Sequence, residues 1–234
     1  MTKRLAIIPA RGGSKRIPRK NIKDFCGKPM ISYVVNSALK SKLFNKIHIS
    51  SDSDEIRKYS EKLGCKTDFK RPKYLSGDKT TIMEVLRYVV GKYKKSGNNY
   101  DEIWLLMACS PLLDAADLIE ASHVFKKSTE NKKLLAICEY PAPIEWAFNK
   151  DTNHNLYPVQ PGKFAVRSQD LTKTYYDAGT FAIFKENHIL LSSKDGDDKG
   201  FIGFLLDKTS AIDIDNQQDW DLAELLFKTK NKLY

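Results

Sequence analysis

A chain of 234 residues, 41% hydrophobic and 29% charged, is long enough to bury one α/β core without a disulfide. Its four cysteines, Cys26, Cys65, Cys109 and Cys138, form no C-x-x-C pair, which argues against zinc and dithiol motifs and predicts reduced thiols in a cytoplasmic protein. No run approaches the ~18 apolar residues of a membrane helix or the core of a secretion signal, so no membrane partner is expected.

The net charge of +10 is concentrated near the start: from Lys3 to Lys28, nine Lys or Arg against one acid, Asp24, account for eight of it. The remainder is nearly neutral and lacks the basic helix or aromatic-basic ladder of a nucleic-acid binder. A small anionic ligand fits better.

Along the chain, Lys3–Ile8 predicts a buried strand, followed by a loop and a helix over Met30–Leu39 with Pro29 in its first turn. Lys46–Ser50 predicts a second strand, Asp52 or Ser53 an N-cap, and Glu55–Leu63 a helix closed by Gly64. The alternation continues with a helix over Thr81–Lys95, a strand over Ile103–Ala108, a helix over Ala115–Lys126 and a strand over Leu134–Cys138. Strands separated by helices of this length imply an α/β fold with a mostly parallel sheet covered on both faces. Four prolines then punctuate Tyr140–Tyr176, where the helical pattern disappears. This predicts a small arm, about 140–178, inserted in a single domain spanning 1–234. Strands over Thr180–Phe184, Phe201–Leu206 and Ala211–Ile214 and a closing helix over Gln217–Lys228 complete the pattern, with Ser192–Gly200 as a surface loop.

Four motifs carry the candidate chemistry. Arg11-Gly-Gly-Ser-Lys-Arg-Ile-Pro-Arg-Lys-Asn21 follows the first strand. It has neither the ATPase phosphate-loop spacing nor the G-x-G-x-x-G of a dinucleotide fold. Its backbone N–H groups and cations suit a polyphosphate and the charge that accumulates on a departing pyrophosphate. Near the other end, Asp213 and Asp215 stand two residues apart. In an extended chain both carboxylates point the same way and could share a hard divalent cation, or Asp215 or Asn216 could cap the following helix.

Lys70-Arg71-Pro72 with Gly77-Asp78-Lys79-Thr80-Thr81 offers a guanidinium and a helix N-terminus to a pyrimidine edge; ordinary capping by Asp78 or Thr80 is the alternative. Arg167-Ser-Gln-Asp-Leu171 with Tyr175-Tyr-Asp-Ala-Gly179 lies on the arm, where Arg167 either pairs with a substrate carboxylate or forms an exposed loop salt bridge. Met107-Ala-Cys-Ser-Pro111 ends a strand, on the side of the sheet where ligands usually lie. His48, His123, His154 and His188 are scattered and read as structural.

Together, Ile8-Pro-Ala-Arg-Gly-Gly-Ser-Lys-Arg-Ile-Pro-x-Lys-Asn21, Arg71-Pro72, Ser110-Pro-Leu112 and Ile212-Asp-Ile-Asp-x4-Asp-Trp220 resemble the CMP-sialate synthetases, cytidylyltransferases of acidic nine-carbon sugars. The resemblance runs nearly end to end. Pro143-Ile144-x-x-Ala147-Phe148, Arg167–Leu171 and Asp177-Ala-Gly179 are most similar to the pseudaminate-activating subgroup.

The resemblance implies a Rossmann-like, GT-A-type nucleotidyltransferase that binds CTP with Mg²⁺, as a homodimer whose arms reach the partner. The anomeric hydroxyl would attack the α-phosphorus, giving the CMP-sugar and pyrophosphate. By match to the family's motifs, Ala10, Arg11, Gly12, Ser14, Lys20 and Asn21 fall in the nucleotide loop and Arg71, Thr80 and Thr81 in the cytosine segment. Asp213 and Asp215 match the metal carboxylates, Arg11 and Lys20 the stabilisers of pyrophosphate, and Arg167, Gln169 and Asp177 the sugar arm. The proton would go to an aspartate or a metal-bound water.

The chain departs from the family at three places. Met107 stands where sialate enzymes carry glutamine, so that glutamine's hydrogen bonds do not carry over; Glu145-Trp146 replaces Gln-Arg and Tyr176 replaces a histidine, and these two touch the sugar end. The same reaction on legionaminate, N-acetylneuraminate or an octulosonate is the nearest alternative. A nucleotide sensor without catalysis and a nucleic-acid module are the rivals from other classes.

Overall fold

The computed structural model describes residues 2–128 and 132–232. In chain order its elements are β1 (Arg4–Pro9), β2 (Asp24–Phe25), β3 (Lys28–Pro29), α1 (Ile31–Ser41), β4 (Lys46–Ser50), α2 (Asp54–Lys62), α3 (Ile82–Lys95), β5 (Glu102–Leu106), α4 (Ala115–Lys127) and β6 (Lys133–Glu139). There follow β7 (Phe148–Lys150), β8 (Leu156–Pro158), β9 (Tyr175–Lys185), α5 (Glu186–Leu190), β10 (Phe201–Leu205) and α6 (Gln217–Asn231).

Strand alternation sorts the apolar side chains into two cores. Along β1, Leu5 and Ile7 point to one face, where they meet Leu86, Val89, Val90 and Tyr93 of α3. Ala6 and Ile8 point to the other, where Ile31, Val34 and Val35 of α1 and Leu118 and Phe125 of α4 pack. A strand apolar on both faces needs cover on both sides, and helices on alternate connections supply it.

The six-stranded sheet runs in the order β10-β6-β9-β5-β1-β4. β4 and β5 pair parallel to β1, β10 pairs parallel to β6, and β9 lies antiparallel between β5 and β6. The carboxyl ends of β1, β4, β5, β6 and β10 therefore share one edge of the sheet, and the amino end of β9 returns to it.

A third, smaller core sits off that edge. Ile17, Phe25 and Met30 from the segment after β1 pack against Ile214, Trp220 and Ala223 from the far end of the chain. Phe25 stands at the centre, with edge-on rings of Tyr33, Trp220 and Phe227 at 5.3–5.6 Å. Burying side chains of this size stabilises the fold by about 1.5–3 kcal/mol each. They hold the N-terminal loop against the C-terminal segment.

Several expectations need correction. Pro29 belongs to β3, which pairs with β2 around a turn with Cys26 and Gly27 at positive φ, and α1 starts only at Ile31. Of the two expected caps of α2, Asp52 or Ser53, the structure uses Ser53. Ala211–Ile214 forms no strand: Ala211 and Ile214 are buried, but the segment runs past β9, where Asp213 lies beside Gly179, and pairs with no strand of the sheet. β9 is longer than the expected Thr180–Phe184 because its polar beginning pairs with β6 through Asp177, Tyr176 and Tyr175 across a register shift between Leu135 and Ile137. The arm contains the hairpin β7–β8.

Candidate active site at the carboxyl edge of the sheet

At the end of β1 the Ala10 N–H donates to the Ser50 carbonyl at 2.9 Å, the last bond of strand character before the chain turns away. The loop that follows is fixed from inside. Asn21, buried, donates from Nδ2 to the Arg11 carbonyl at 2.9 Å and accepts from the Cys109 thiol at 3.3 Å. Burial pushes the Cys109 thiol up to about 11, which keeps it protonated as the donor at neutral pH. Gly12 N–H donates to Asp52 Oδ1 at 3.0 Å.

Four cations of this loop reach across to two acidic partners, while Arg19 pairs with Glu55. Arg11 and Lys15 both bind Asp78, Arg11 at 2.8 Å. Their hydrogen bonds hold the Asp78 carboxyl below its usual range, Lys15 contributing most. Arg16 binds Asp215 at 2.8 Å, and Lys20 Nζ lies 3.8 Å from the other oxygen of that carboxylate while donating to the Ile214 carbonyl. The two charged motifs, nearly two hundred residues apart in sequence, thus meet through Arg16 and Lys20.

Asp213 is different. Its side chain makes no hydrogen bond or ion pair among the described residues, and its pKa is raised, first by the surrounding protein and then by the charge of Asp215, with Lys20 opposing. Asn216 caps α6 by accepting from Asp219 N–H at 3.1 Å, and the Asp219 carboxylate accepts from the backbone N–H groups of Asp215 and Asn216. Neither Asp213 nor Asp215 is consumed as a cap. Gly179, at φ +62°, makes room beside them: a Cβ there would stand 3.3 Å from Asp213 Cγ.

A cavity of about 360 Å³ opens between these groups. Of the residues expected at the site it brings together Arg11, Ser14, Lys20, Asn21, Arg71, Thr80, Asp213 and Asp215. Arg71 is 4% exposed, yet its Nε and Nη2 have no hydrogen-bond partner among the described residues. These two nitrogens form one edge of the planar guanidinium, a ready-made pair of parallel donors.

Other expected residues are placed elsewhere. Ala10 is fully buried, and the Gly12 N–H is taken by Asp52, so both frame the loop without lining the cavity. Thr81 is the N-cap of α3, in a reciprocal box with Glu84, and its hydroxyl also meets the Lys194 carbonyl. Arg167 pairs with Asp170 three residues on, well exposed, which is the loop salt bridge. Gln169 lines a separate cleft with Tyr140 and Pro143. Asp177 is spent in part on a local turn, accepting from Gly179 N–H at 2.9 Å, although its charge is still felt by Asp213.

Lys15, Arg16, Asp78, Cys109 and Gly179, which the sequence offers only as members of longer motifs, also line the cavity, and Asp52, expected only as a possible cap, belongs to its frame. Asp52 and Asp78 look like helix caps in sequence, and only their partners across the fold reveal another use.

Among the described residues no group of three or more His, Cys, Asp or Glu side chains is arranged around a metal position. Two carboxylates, one of them unpaired and destabilised by its neighbour, suit Mg²⁺, which binds through one or two carboxylates with substrate phosphates completing its shell.

Residues 5–204 match the family model described as cytidylyltransferase. The chain is 39% identical to the pseudaminic acid cytidylyltransferase of Campylobacter jejuni subsp. jejuni serotype O:2, over 98% of both chains. It is 32% identical to the CMP-N,N'-diacetyllegionaminic acid synthase of the same strain, over 99% of this chain and 97% of the other. The solved structure of CMP:2-keto-3-deoxy-manno-octonic acid synthetase complexed with CTP superposes with a TM-score of 0.71 at 16% identity, covering 98% of this chain and all of that one, which shows the shared fold. The chain belongs to the cytidylyltransferase family. It is a CTP-dependent nucleotidyltransferase on an α/β sheet of the expected kind.

Proposed function

We propose that this protein activates pseudaminic acid, transferring CMP from CTP to the sugar's anomeric hydroxyl with release of pyrophosphate. The observation that carries the nucleotide half is the orphaned edge of Arg71. Cytosine presents adjacent acceptors, N3 and O2, to such a donor pair, whereas uracil presents a donor at N3. A buried guanidinium left without partners costs stability. A cytosine would satisfy it.

With the base at Arg71, the triphosphate lies toward Arg11, Ser14 and Lys20 and the α-phosphate toward Asp213 and Asp215. The sugar oxygen attacks the α-phosphorus as the bond to the β-phosphate oxygen breaks, and the hydroxyl proton passes to a base at the same end of the cavity. Arg11 and Lys20 take up charge on the leaving pyrophosphate, moving from their present carboxylate partners to it. Mg²⁺ held by Asp213 and Asp215 would supply Lewis acidity at the α-phosphate.

The choice of sugar rests on the relatives at 38–39% identity named for pseudaminic acid, against 32% for the legionaminate enzyme. Pyrophosphate release from CTP with pseudaminic, legionaminic, N-acetylneuraminic and octulosonic acids tests it. The highest kcat/KM is expected on pseudaminic acid, and a higher value on any other acid contradicts the assignment.

The arm supports a homodimer. Leu156, Tyr157, Val159 and Phe164 are 51–64% exposed and no residue from 140 to 177 is buried, an apolar surface suited to a second copy. Four free cysteines support a cytoplasmic setting, and no helix among the described residues is long and apolar enough to cross a membrane.

A further inference from the structure

The turn after β4 serves both halves of the nucleotide site while lining neither. The Ser51 carbonyl accepts from Arg71 N–H at 2.9 Å, and Asp52 Oδ1 accepts from Gly12 N–H at 3.0 Å. Ser53 packs so closely on Gly12 that a Cβ added there would fall 3.0 Å from Ser53 Cβ. Burial lowers the Arg71 pKa and the Arg11 charge adds to this; the Asp52 carboxylate is the charge that opposes both. Three segments remote in sequence, the loop after β1, this turn and the segment that leads into Arg71, are thus tied at one turn, through the Ser51 carbonyl and the Asp52 carboxylate.

We propose that Asp52 is a positioning residue that sets the polyphosphate loop through Gly12 and the base-reading edge of Arg71 through its charge, so that the two ends of CTP are held at a fixed spacing. This deepens the nucleotide assignment above and rests on it. One oxygen anchors a backbone N–H, which an amide oxygen can do equally well. The negative charge that opposes the lowering of the Arg71 pKa is something only a carboxylate supplies. The two roles are therefore separable by substitution.

Calorimetric titration of the intact protein with inorganic pyrophosphate reports on the loop. The ratio of CMP to UMP affinity reports on Arg71, because both nucleotides carry the same phosphate charge. Asp52→Ala is expected to weaken pyrophosphate about tenfold and to lower the CMP preference severalfold. Asp52→Asn is expected to restore pyrophosphate to within about twofold of the native protein while leaving the CMP preference low.

Unchanged binding in a folded Asp52→Ala protein overturns the proposal, as does full recovery of the CMP preference in Asp52→Asn. Should Asp52→Ala not fold, Asp52→Asn decides alone: native pyrophosphate affinity with reduced preference is expected, and intact preference contradicts it. A native protein that binds neither pyrophosphate nor CMP in preference to UMP would instead defeat the nucleotide assignment itself.

Discussion

The loop after β1 and the arm between β6 and β9 are both irregular, polar and functional in character, yet they are built on opposite plans. The loop borrows a core: Ile17, Phe25 and Met30 sink into the cluster around Trp220, and Asn21 is buried beneath Arg11. The arm has none. Its hairpin is tied by edge contacts such as Phe148 on Phe164 at 5.3 Å and Trp146 Nε1–H to the Val166 carbonyl at 3.1 Å. On the proposed function, a segment that holds charges at fixed spacing is anchored inside the chain, and a segment that meets a separate sugar or subunit keeps its apolar side chains outside. Local stability follows the number of buried contacts.

The sharpest way to break this comparison is at Asp213. Asp213→Ala should lower kcat by about a thousandfold, the scale of losing several kcal/mol of transition-state charge stabilisation. The fold should not suffer. The Asp213 pKa is raised in the native state, so the native protein holds this proton more readily than the unfolded chain does. The penalty of ionising it is absent below the unfolded value and grows as pH rises through the native one. Asp213→Asn should therefore raise the melting temperature of the ligand-free protein at pH 7, with the gain fading below about pH 4. A variant that melts lower at pH 7 would show that the carboxylate is structural.

Next in size is Arg71→Lys, which keeps the charge and removes the fork. A loss of about tenfold to a hundredfold in kcat/KM for CTP is expected, with the sugar KM little changed. Activity within twofold of native would mean that the orphaned edge does not meet the base.

The arm should answer differently. Leu156→Lys with Phe164→Lys ought to leave the melting of the dilute protein near its native value, since neither side chain is buried in the chain. Light scattering should then find monomers at concentrations where the native protein, on the proposed homodimer, is expected to associate. A dimer that survives both lysines would move the interface off this face.

The smallest effect belongs to Asp78. Its carboxylate occupies Arg11 and Lys15, cations that the proposed function would turn toward the triphosphate. Asp78→Asn should lower the KM for CTP by about two- to threefold, because exposed pairs of this kind are weak. A raised KM would mean that Asp78 organises the loop more than it competes with the substrate.

How far these regions are legible in sequence differs for the same physical reason. The alternating β-α pattern and the helix starts are local: Thr81 with Glu84 and Asn216 with Asp219 form reciprocal caps that spacing alone suggests. The meeting of Lys20 with Asp215 was legible only as two charged motifs that want a common ligand. What could not be read is non-local. Asp52 resembles one more helix cap until Gly12 and Arg71 are seen beside it. The beginning of β9 hides behind Asp177 and Gly179, whose turn gives that stretch the residue types of a loop while its neighbours pair with β6. Arg167 illustrates the reverse case, a motif arginine whose partner within the chain is Asp170, the loop salt bridge that its spacing also suggests.

The most direct test is a crystal of the protein with CTP and Mn²⁺ in place of Mg²⁺. An anomalous peak between Asp213 and Asp215, the triphosphate against Arg11 and Lys20, and cytosine N3 and O2 on Arg71 Nε and Nη2 are expected. Nucleotide density outside this cavity, or a manganese peak away from both aspartates, would contradict the site.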